Sequence, residues 1–426
     1  MTTNNETTNK IFLILGNGPA GHFAAGEIRK NSPDADILIA SKEPVRTYLR
    51  TQLAECLESP LPEDKFFMAK EEWYRKMNIT QLLSKEAVNI DPEGKTVTFH
   101  EGSKVPYDKL IIATGSYNFI PPVDIEILKS EEIVDVSKLN SENYRDIEGI
   151  YSIREVSDTD LIREKAKRSR KAVVIGGGLL GLEAAWNLKK CGLDVSVVEF
   201  FKRLLPRQLD DEAAVIFKEI ADASGIELIL GDSAETVNIT EDENGKRTLT
   251  GLQLKNGALI PCDILLFSVG IRSKIRIAVE AGIETDKGIK VNSRMETNFK
   301  DIYACGDVAE VNGFVYGTWP AALSMGRIAG ANAAGGSLEF PPMVLSTIFN
   351  GLNAKIFSAG SIDFADPGLD VFSYRSKGKG LYKKLFFKED KLVACILMGD
   401  TSKSTRVMKA IERGDSKTEV FTLDIL

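Results

Sequence analysis

Two short glycine patterns are the parts of this sequence whose residue types and spacing are suited to binding chemistry. The first is Gly16-x-Gly18-x-x-Gly21, and it follows the apolar run 11–15. In a strand–turn–helix unit the first glycine permits the tight turn, the second lets a pyrophosphate approach the backbone, and the third lets helix and strand pack closely. The pattern therefore predicts a dinucleotide whose phosphates lie on the free N–H groups of a helix N-terminus.

A second copy of the pattern carries more weight than the first alone. The run 171–175 leads into Gly176-x-Gly178-x-x-Gly181 and then into helix-forming residues. A single pattern of this kind is weak evidence, but two copies in the same strand–turn–helix context predict two dinucleotides. We call each copy a fingerprint.

An acidic residue follows each pattern at the end of the next predicted strand, where a carboxylate accepts hydrogen bonds from the adenosine ribose. Glu199 lies about 20 residues beyond its glycines, as this role requires. It would repel a 2′-phosphate and so favours NADH over NADPH, although Lys202 and Arg203 are close by. Glu43 is the corresponding acid in the first half; its spacing is slightly long and Lys42 precedes it, so an ordinary surface glutamate is the alternative.

Composition excludes several classes of protein. The chain has 426 residues, of which 43% are hydrophobic, enough for two or three domains. No apolar run reaches the roughly 18 residues of a membrane span, and the net charge of −7 argues against non-specific nucleic-acid binding. The five cysteines are odd in number, far apart and without a CxxC pair, which predicts no disulfide framework and no metal site. The polar first ten residues predict no signal peptide and hence a cytoplasmic location.

The order of the predicted elements gives an α/β fold with two Rossmann-like dinucleotide-binding domains and a small C-terminal α+β domain. The predicted boundaries are 1–118 with 272–335 for the first domain, 119–271 for the second and 336–426 for the third. Outside the fingerprints, helices are predicted at 49–57, 65–76, 158–167, 319–335 and 401–413, and a β-meander at 235–260.

These features together resemble a known family. With two fingerprints, an Ala113-Thr114-Gly115 strand end and the segment 295–309, the chain resembles the two-dinucleotide flavoproteins that include glutathione reductase, NADH oxidase, ferredoxin reductase and apoptosis-inducing factor. The resemblance covers nearly the whole chain. It is greatest to the branch of NADH:rubredoxin reductases and the flavin-containing part of nitrite reductases, through 295–309 and 399–401.

The resemblance implies FAD at the first fingerprint and NAD at the second, and it assigns contacts by position. The residues expected around FAD are Gly16, Asn17, Gly18, Pro19, Ala20, Gly21, Lys42, Glu43, Arg50, Val88, Ala113, Thr114, Gly115, Arg154, Asp307, Trp319 and Pro320. Those expected around a cofactor in the second domain are Gly176, Gly178, Leu179, Leu180, Gly181, Glu199 and Gly270.

Two of these assignments have a simpler alternative. Glu183 matches a family glutamate near the nicotinamide and is the catalytic candidate, but it is also what an exposed helix glutamate looks like. Trp319 and Pro320 open a helix whose N-terminus faces the flavin in the family, yet the tryptophan side chain fits a packing role equally well.

The sequence also departs from the family's disulfide-reducing branches. Those branches need a CxxxxC pair after the first unit, and the peroxidases and oxidases need one cysteine there; Tyr48-Leu49-Arg50-Thr51 places threonine at that position. Cys56 is expected only to pack, the alternative being a redox thiol with shifted spacing. His22 is expected only to flank the phosphate site.

The function expected from the resemblance is transfer of electrons from NADH through FAD to a small electron carrier, rubredoxin or ferredoxin. One alternative is an NADH oxidase that reduces dioxygen, and another is a redox-sensing flavoprotein of the apoptosis-inducing-factor type. A basic cluster in the C-terminal domain predicts either a docking surface for an acidic carrier or lysines that protect an edge strand. Its members are Arg375, Lys377, Lys379, Lys383, Lys384 and Lys388.

Overall fold

The computed structural model describes residues 9–129, 132–360, 362–376, 380–423 and 425. Contacts along the chain divide it into two compact units. Unit 1 comprises Met1–Gln52, Leu61–Tyr117 and Ile271–Pro342, and unit 2 comprises Leu53–Pro60, Asn118–Gly270 and Met343–Leu426. The short segment 53–60 thus belongs to unit 2, although the chain on either side of it belongs to unit 1. The three-domain boundaries given above stay predictions.

Unit 1 is organised around a sheet of five parallel strands. Its core strand lies centrally, and Phe12, Leu13, Ile14 and Leu15 are all buried, as expected where helices cover both faces of a parallel sheet. In spatial order the strands are Ile302–Ala304, Lys109–Ile112, Ile11–Leu15, Asp36–Ala40 and Ile79–Leu82.

Two helices of unit 1 pack unusually closely. The fingerprint helix Pro19–Asn31 lies against helix Trp319–Ala333. A Cβ atom at Gly326 would lie 2.2 Å from the Ala20 carbonyl oxygen, so only glycine permits this approach. The remaining strands of unit 1 are Ala87–Asp91, Thr96–Phe99, Lys104–Pro106, Ser116–Asn118, Ile271–Ser273, Ile289–Val291 and Ala309–Val311, and its other helical segments are Arg50–Gln52, Glu63–Phe66, Glu71–Lys76, Arg276–Glu280 and Gly306–Val308.

Two predicted helices are wrong in extent. The stretch 49–57 forms two separate 3₁₀ turns, because the chain passes from one unit to the other after Gln52 and no single helix face serves both. The stretch 65–76 is broken at Phe67, which is extended, bridges to Tyr48 and leaves Met68 donating to the Thr47 carbonyl.

Unit 2 repeats the parallel-sheet design. In spatial order its first sheet contains Ile150–Tyr151, Ile264–Phe267, Lys171–Ile175, Asp194–Glu199 and Glu227–Leu230. Helical segments Glu55–Leu57, Tyr144–Asp146, Val156–Ala166, Leu179–Lys190 and Asp211–Asp222 also belong to this unit. The predicted helix 158–167 and the strand before the second fingerprint are therefore confirmed.

A second sheet of unit 2 contains the predicted meander. Its strands are, in spatial order, Glu132–Leu139, Val123–Lys129, Ala234–Glu241, Arg247–Leu254 and Ile147–Glu148, with Leu259–Pro261 paired to Arg247–Leu254. Its inner face buries Ile125, Val237, Ile239 and Leu252.

The C-terminal part of unit 2 is an antiparallel sheet with helices. Its strands are, in spatial order, Ser346–Gly351, Ala354–Ala359, Lys391–Met398, Leu381–Lys388 and Asp370–Ser376. Helix Ser404–Arg413 buries Val407, Ala410 and Ile411. The prediction that this is the last helix is wrong, because the chain turns at Gly414 and forms a further helix, Lys417–Phe421.

Two lysines of the basic cluster are engaged within the C-terminal sheet and are largely withdrawn from solvent. Lys383 is only 9% exposed; its ammonium donates to the Ile425 carbonyl and pairs with Asp400. Lys384 pairs with Asp210 at 2.5 Å. Both lie on strand Leu381–Lys388, which has a neighbour on each side, so the docking and the edge-strand interpretations are both wrong for these two lysines. Lys377 and Lys379 lie outside the described residues.

Across the part of the chain that the structure describes, the helices are too short or too polar to cross a membrane.

Candidate functional site

The first candidate site lies at the carboxyl ends of four neighbouring strands in unit 1, the edge at which parallel sheets bind ligands. The fingerprint follows Leu15, and Glu43 comes shortly after the end of the next strand at Ala40. On the other side, Thr114 follows the strand that ends at Ile112, and Asp307 follows the strand that ends at Ala304. The parallel order of the strands thus brings together residues far apart in sequence.

The three fingerprint glycines differ in what they accommodate. Gly16 has φ +119°, and a Cβ there would lie 2.1 Å from the Ala113 carbonyl oxygen. A Cβ on Gly21 would lie 2.0 Å from the Gly16 oxygen. Gly18 has extended backbone angles, φ −87° and ψ −174°, and a Cβ there would meet no protein atom within 4 Å. Gly16 and Gly21 are thus required by the protein itself, whereas the space at Gly18 is the cradle that a pyrophosphate fits.

Asp307 is held by two buried serines. The Ser116 hydroxyl donates to the Asp307 carboxylate at 2.8 Å, and the Ser273 hydroxyl donates to the Asp307 carbonyl at 2.7 Å. Sequence reasoning did not single out either serine, since neither lies in a motif. One carboxylate oxygen of Asp307 is thereby held in place, and its contact with the ribityl chain stays a prediction.

Glu43 and Arg50, both proposed FAD contacts, are paired with each other. The Arg50 guanidinium forms a salt bridge with the Glu43 carboxylate, and the Tyr48 hydroxyl donates to the same carboxylate at 2.7 Å. Arg50 also lies over the Tyr48 ring, 4.7 Å from its centroid. Lys42 is largely exposed and lies 4.0 Å from Glu86. Glu43 is therefore not an isolated surface glutamate.

The helix that begins at Trp319 has an open N-terminus. Thr318 makes no side-chain capping bond, and the first turn carries no acidic residue. Its backbone N–H groups and the positive end of the helix dipole are therefore unopposed within that turn. Trp319 is partly buried and Pro320 is exposed, while Val88 is exposed on a strand of the small three-stranded sheet. Their proposed contacts with FAD stay predictions.

The second candidate site repeats this geometry in unit 2. Gly176 has φ +114°, and a Cβ there would lie 2.3 Å from the Ser268 carbonyl oxygen. A Cβ on Gly181 would lie 2.0 Å from the Gly176 oxygen, whereas Gly178 is extended and meets nothing within 4 Å. Leu179 and Leu180 begin the helix beyond. A pyrophosphate fits here for the same reason as at Gly18.

Glu199 is tied to the second glycine turn. Its carboxylate accepts from the Gly177 N–H at 2.6 Å and from the Phe201 N–H at 2.8 Å, and the residue is 7% exposed. A side chain on Gly177 would collide with Leu204 and with Glu199 itself. The acid predicted from spacing alone is therefore oriented against the fingerprint by two backbone donors.

A cavity of about 720 Å³ opens beside this acid. Apolar and basic side chains share its wall, and Leu204, which faces Gly177, is one of them. Arg203 is paired with Asp211, and Lys218 with Asp222. The cavity is lined by Phe201, Lys202, Arg203, Leu204, Pro206, Arg207, Asp211, Ala214, Val215, Lys218 and Leu230.

Glu183 has an unusual environment. Burial, and after it the negative charge of Glu55, raises the pKa of Glu183 to about 7. Glu55 reaches this helix because segment 53–60 is attached to unit 2: Arg163 donates to the Cys56 carbonyl at 2.9 Å, and Lys190 pairs with Glu58 at 2.6 Å. Glu183 is therefore not the exposed helix glutamate of the alternative interpretation.

The other two predicted residues of unit 2 lie on loops. The Arg154 backbone N–H donates to Asp158 at 2.8 Å, just before helix Val156–Ala166. Gly270 follows the strand that ends at Phe267, and its carbonyl accepts from the Phe119 N–H at 2.9 Å. Their cofactor contacts stay predictions.

The cysteines occur as free thiols. Burial raises the pKa of Cys262, Cys305 and Cys395 to about 12, which disfavours the reactive thiolate. Cys56 is 4% exposed within a 3₁₀ turn, and Cys191 is exposed. In the described part of the chain, no group of three or more potential ligand residues is placed to hold a metal ion.

Two protein-family models match successive parts of the chain. Residues 11–326 match the model of the pyridine nucleotide-disulphide oxidoreductases, and residues 346–415 match that of the rubredoxin NAD⁺ reductase C-terminal domain.

Individual relatives agree. An NADH-rubredoxin oxidoreductase of Clostridium acetobutylicum is 32% identical over 97% of both chains, and the crystal structure of that organism's NADH:rubredoxin oxidoreductase superposes with a TM-score of 0.74, at 30% identity over 96% of both chains. A nitrite reductase [NAD(P)H] of Bacillus subtilis is 31% identical over 98% of this chain, which spans only 49% of that relative. The predicted α/β fold is confirmed, and the chain belongs to the pyridine nucleotide-disulphide oxidoreductase family.

Proposed function

We propose that this chain takes electrons from NADH onto FAD and passes them to a small electron-carrier protein, with rubredoxin as the first candidate. The observation that carries the proposal is the pair of open glycine cradles at Gly18 and Gly178, each at the carboxyl edge of its own parallel sheet. Two such cradles fit two dinucleotides. The match of residues 346–415 to the rubredoxin NAD⁺ reductase C-terminal domain supports the choice of acceptor.

In unit 1 the residues hold FAD from three directions. The turn at Gly18 receives the pyrophosphate on backbone N–H groups, Glu43 binds the adenosine ribose, and Asp307, held by Ser116, accepts from the ribityl chain. The N-terminus of helix Trp319–Ala333 would stabilise negative charge on a bound flavin ring by its dipole. Bound FAD itself supplies the redox chemistry, since a flavin accepts a hydride and releases electrons.

In unit 2 the residues bind NADH. The Gly178 turn receives its pyrophosphate, and Glu199 accepts from the adenosine ribose while the Gly177 and Phe201 N–H groups keep the carboxylate in place. A carboxylate in this position disfavours a 2′-phosphate, so NADH is preferred over NADPH. Glu183 lies on the same helix as Gly181 and is the proposed catalytic residue, which would contact the nicotinamide of bound NADH.

A turnover screen tests the acceptor. The FAD-loaded protein is mixed with NADH and, separately, with purified rubredoxin, with ferredoxin and with dioxygen alone. Fast reduction of rubredoxin with slow consumption of NADH in air is the expected result. Equally fast NADH consumption in air without a carrier would make the protein an NADH oxidase. Slow turnover with every acceptor and a long-lived reduced state would favour the redox-sensing alternative.

We also propose a cytoplasmic location. The free thiols support it, because reducing compartments preserve them. Cell fractionation followed by detection of the flavoprotein tests this assignment.

A further inference from the structure

A chain of four buried polar side chains runs behind the first fingerprint. The His22 ring nitrogen Nδ1 lies 3.2 Å from the Tyr74 hydroxyl, and that hydroxyl donates to Thr47 Oγ1 at 3.0 Å. The Thr47 hydroxyl in turn donates to the Asn17 amide oxygen. Asn17 and His22 are each 7% exposed, Tyr74 1% and Thr47 0%. We call this chain of hydrogen bonds the His22–Asn17 relay.

The hydrogen bonds of the relay are all donated in the direction from His22 to Asn17. Tyr74 and Thr47 each have a single hydroxyl proton, and both protons are used toward Asn17. The His22 Nδ1 atom must therefore carry the proton that it gives to the Tyr74 oxygen. Burial lowers the pKa of His22 to about 4, so the ring is neutral at physiological pH and has one N–H group, which this bond places on Nδ1. The ring also lies against the Trp73 ring, with centroids 4.3 Å apart and planes tilted by 30°, which restricts its orientation.

Fold stability does not require such a relay. Intramolecular hydrogen bonds between neutral groups add little net stability, and an apolar replacement of both partners with the same shape is often neutral. The relay nevertheless ends on Asn17, the residue between the two glycines of the phosphate turn. Asn17 also donates weakly to the Val45 carbonyl, at 3.5 Å.

The second fingerprint shows what the relay replaces. There the residue between the glycines is Gly177, and the strand-end acid Glu199 holds it through its N–H at 2.6 Å. In unit 1 the strand-end acid Glu43 is instead engaged with Arg50 and Tyr48. Each phosphate turn is thus held through polar contacts of its middle residue, but the partners differ.

We propose that His22, Tyr74 and Thr47 are positioning residues for FAD, because the relay fixes Asn17 and with it the turn from Gly16 to Gly18 on which the FAD pyrophosphate lies. This inference rests on the proposed assignment of FAD to the first fingerprint. It gives His22 a role that its sequence position alone did not suggest.

The test measures the FAD dissociation constant of the full chain from the fluorescence of released flavin. Thr47→Val removes the hydroxyl at nearly constant volume, and Thr47→Ser retains it. Thr47→Val and Tyr74→Phe are expected to weaken FAD binding about tenfold each, while Thr47→Ser restores binding to within about twofold of the wild type. NADH affinity, measured with saturating FAD, should not change in either variant.

Tyr107→Phe is the matched control, since Tyr107 is also a buried tyrosine of unit 1 and its hydroxyl donates to the Asp91 carbonyl, at 3.4 Å, away from the relay. It should leave FAD binding unchanged. If Thr47→Val and Tyr74→Phe bind FAD as the control does, and merely lower the melting temperature of the apoprotein, the relay is structural only and the proposal fails. If Gly18→Ala retains FAD, the assignment of FAD to this fingerprint fails instead. Should Thr47→Val not fold, Tyr74→Phe with its control still decides the question.

Discussion

The two dinucleotide halves share a backbone plan but differ in how side chains support it. In both, the first glycine adopts a positive φ and approaches the end of a neighbouring strand, and the second is extended with open space in front of it. In unit 2 the acid Glu199 is 7% exposed and is bound to the glycine turn. In unit 1 the acid Glu43 is turned toward Arg50, and the turn carries Asn17 in place of a glycine.

This difference explains the residue between the glycines. A Cβ on Gly177 would lie 2.7 Å from Leu204 Cδ2 and 3.0 Å from Glu199 Cβ, so glycine fits there without displacing either side chain. In unit 1, Glu43 is paired with Arg50 and Tyr48 instead of with the glycine turn. The residue between the glycines is Asn17, which has its own polar partners. The identity of this residue therefore depends on where the strand-end acid points.

Substitution at the open glycines should have the largest effect and should separate the two sites. Because a Cβ at either position meets no protein atom, Gly18→Ala and Gly178→Ala should fold normally and obstruct only the ligand. We expect Gly18→Ala to purify without FAD. Gly178→Ala should stay yellow but bind NADH about a hundredfold more weakly, equivalent to about 2.8 kcal/mol.

Absorbance of bound flavin and stopped-flow reduction by NADH measure the two effects. Gly26→Ala is the control, since its Cβ would make only an ordinary contact with Trp73, at 3.8 Å. Loss of FAD from Gly178→Ala, with Gly18→Ala unaffected, would reverse the assignment of the two sites.

Exchange of the two acids for amides should have a smaller effect and test whether they do the same work. Glu199→Gln should raise the KM for NADH about tenfold and reduce the preference for NADH over NADPH. The reason is that the amide accepts less strongly from the ribose hydroxyls and does not repel a 2′-phosphate. Glu43→Gln should leave the KM for NADH unchanged and weaken FAD retention, since it loses its salt bridge with Arg50. Steady-state kinetics with both nucleotides gives the answer. A wild-type preference for NADPH would contradict the role given to Glu199.

Folding stability should also depend on pH in opposite directions through one buried group in each unit. Burial lowers the pKa of His22 from 6.5 to about 4, so the unfolded chain binds the extra proton first and stability is lost as pH falls from about 6.5 to 4. Burial and the nearby Glu55 raise the pKa of Glu183 from 4.5 to about 7, so the folded chain keeps its proton longer and stability is lost as pH rises from about 4.5 to 7.

Each effect amounts to roughly 3 kcal/mol at its limit. Melting temperatures of His22→Gln and Glu183→Gln, relative to the wild type, should therefore change across these windows in opposite directions. Glu55→Gln should lower the pKa of Glu183 and shift its window to lower pH. Parallel pH dependence in both variants and the wild type would show that neither group titrates as described.

The smallest expected effect is none at all, at Cys56. The family resemblance places Thr51 where the peroxidases and oxidases are expected to have a cysteine, and Cys56 is buried, so FAD should be the only redox centre. Dithionite titration should take up about two electrons per chain, without a thiolate-to-flavin charge-transfer band. Cys56→Ser should titrate and turn over like the wild type and like Cys191→Ser. An uptake near four electrons, or inactivity of the Cys56 variant, would instead indicate a thiol–flavin enzyme.

The sequence alone was sufficient to predict the strand–turn–helix units, the six fingerprint glycines and the position of Glu199. These features are local: a tight turn, an open backbone and a strand end are specified by residues within one supersecondary unit. The fold class followed because two such units in one chain leave few other architectures.

Only the tertiary structure decided which side chains meet across long stretches of chain. It linked His22 to Asn17 through Tyr74 and Thr47, and it paired Lys383 with the Ile425 carbonyl and Lys384 with Asp210. It also placed Glu55 beside Glu183 by assigning segment 53–60 to unit 2. Periodicity and spacing do not determine such contacts, because each depends on the relative position of elements that the sequence separates. The tertiary structure therefore determines the side-chain contacts that support the two sites and the pKa of Glu183. The local sequence determines the phosphate turns.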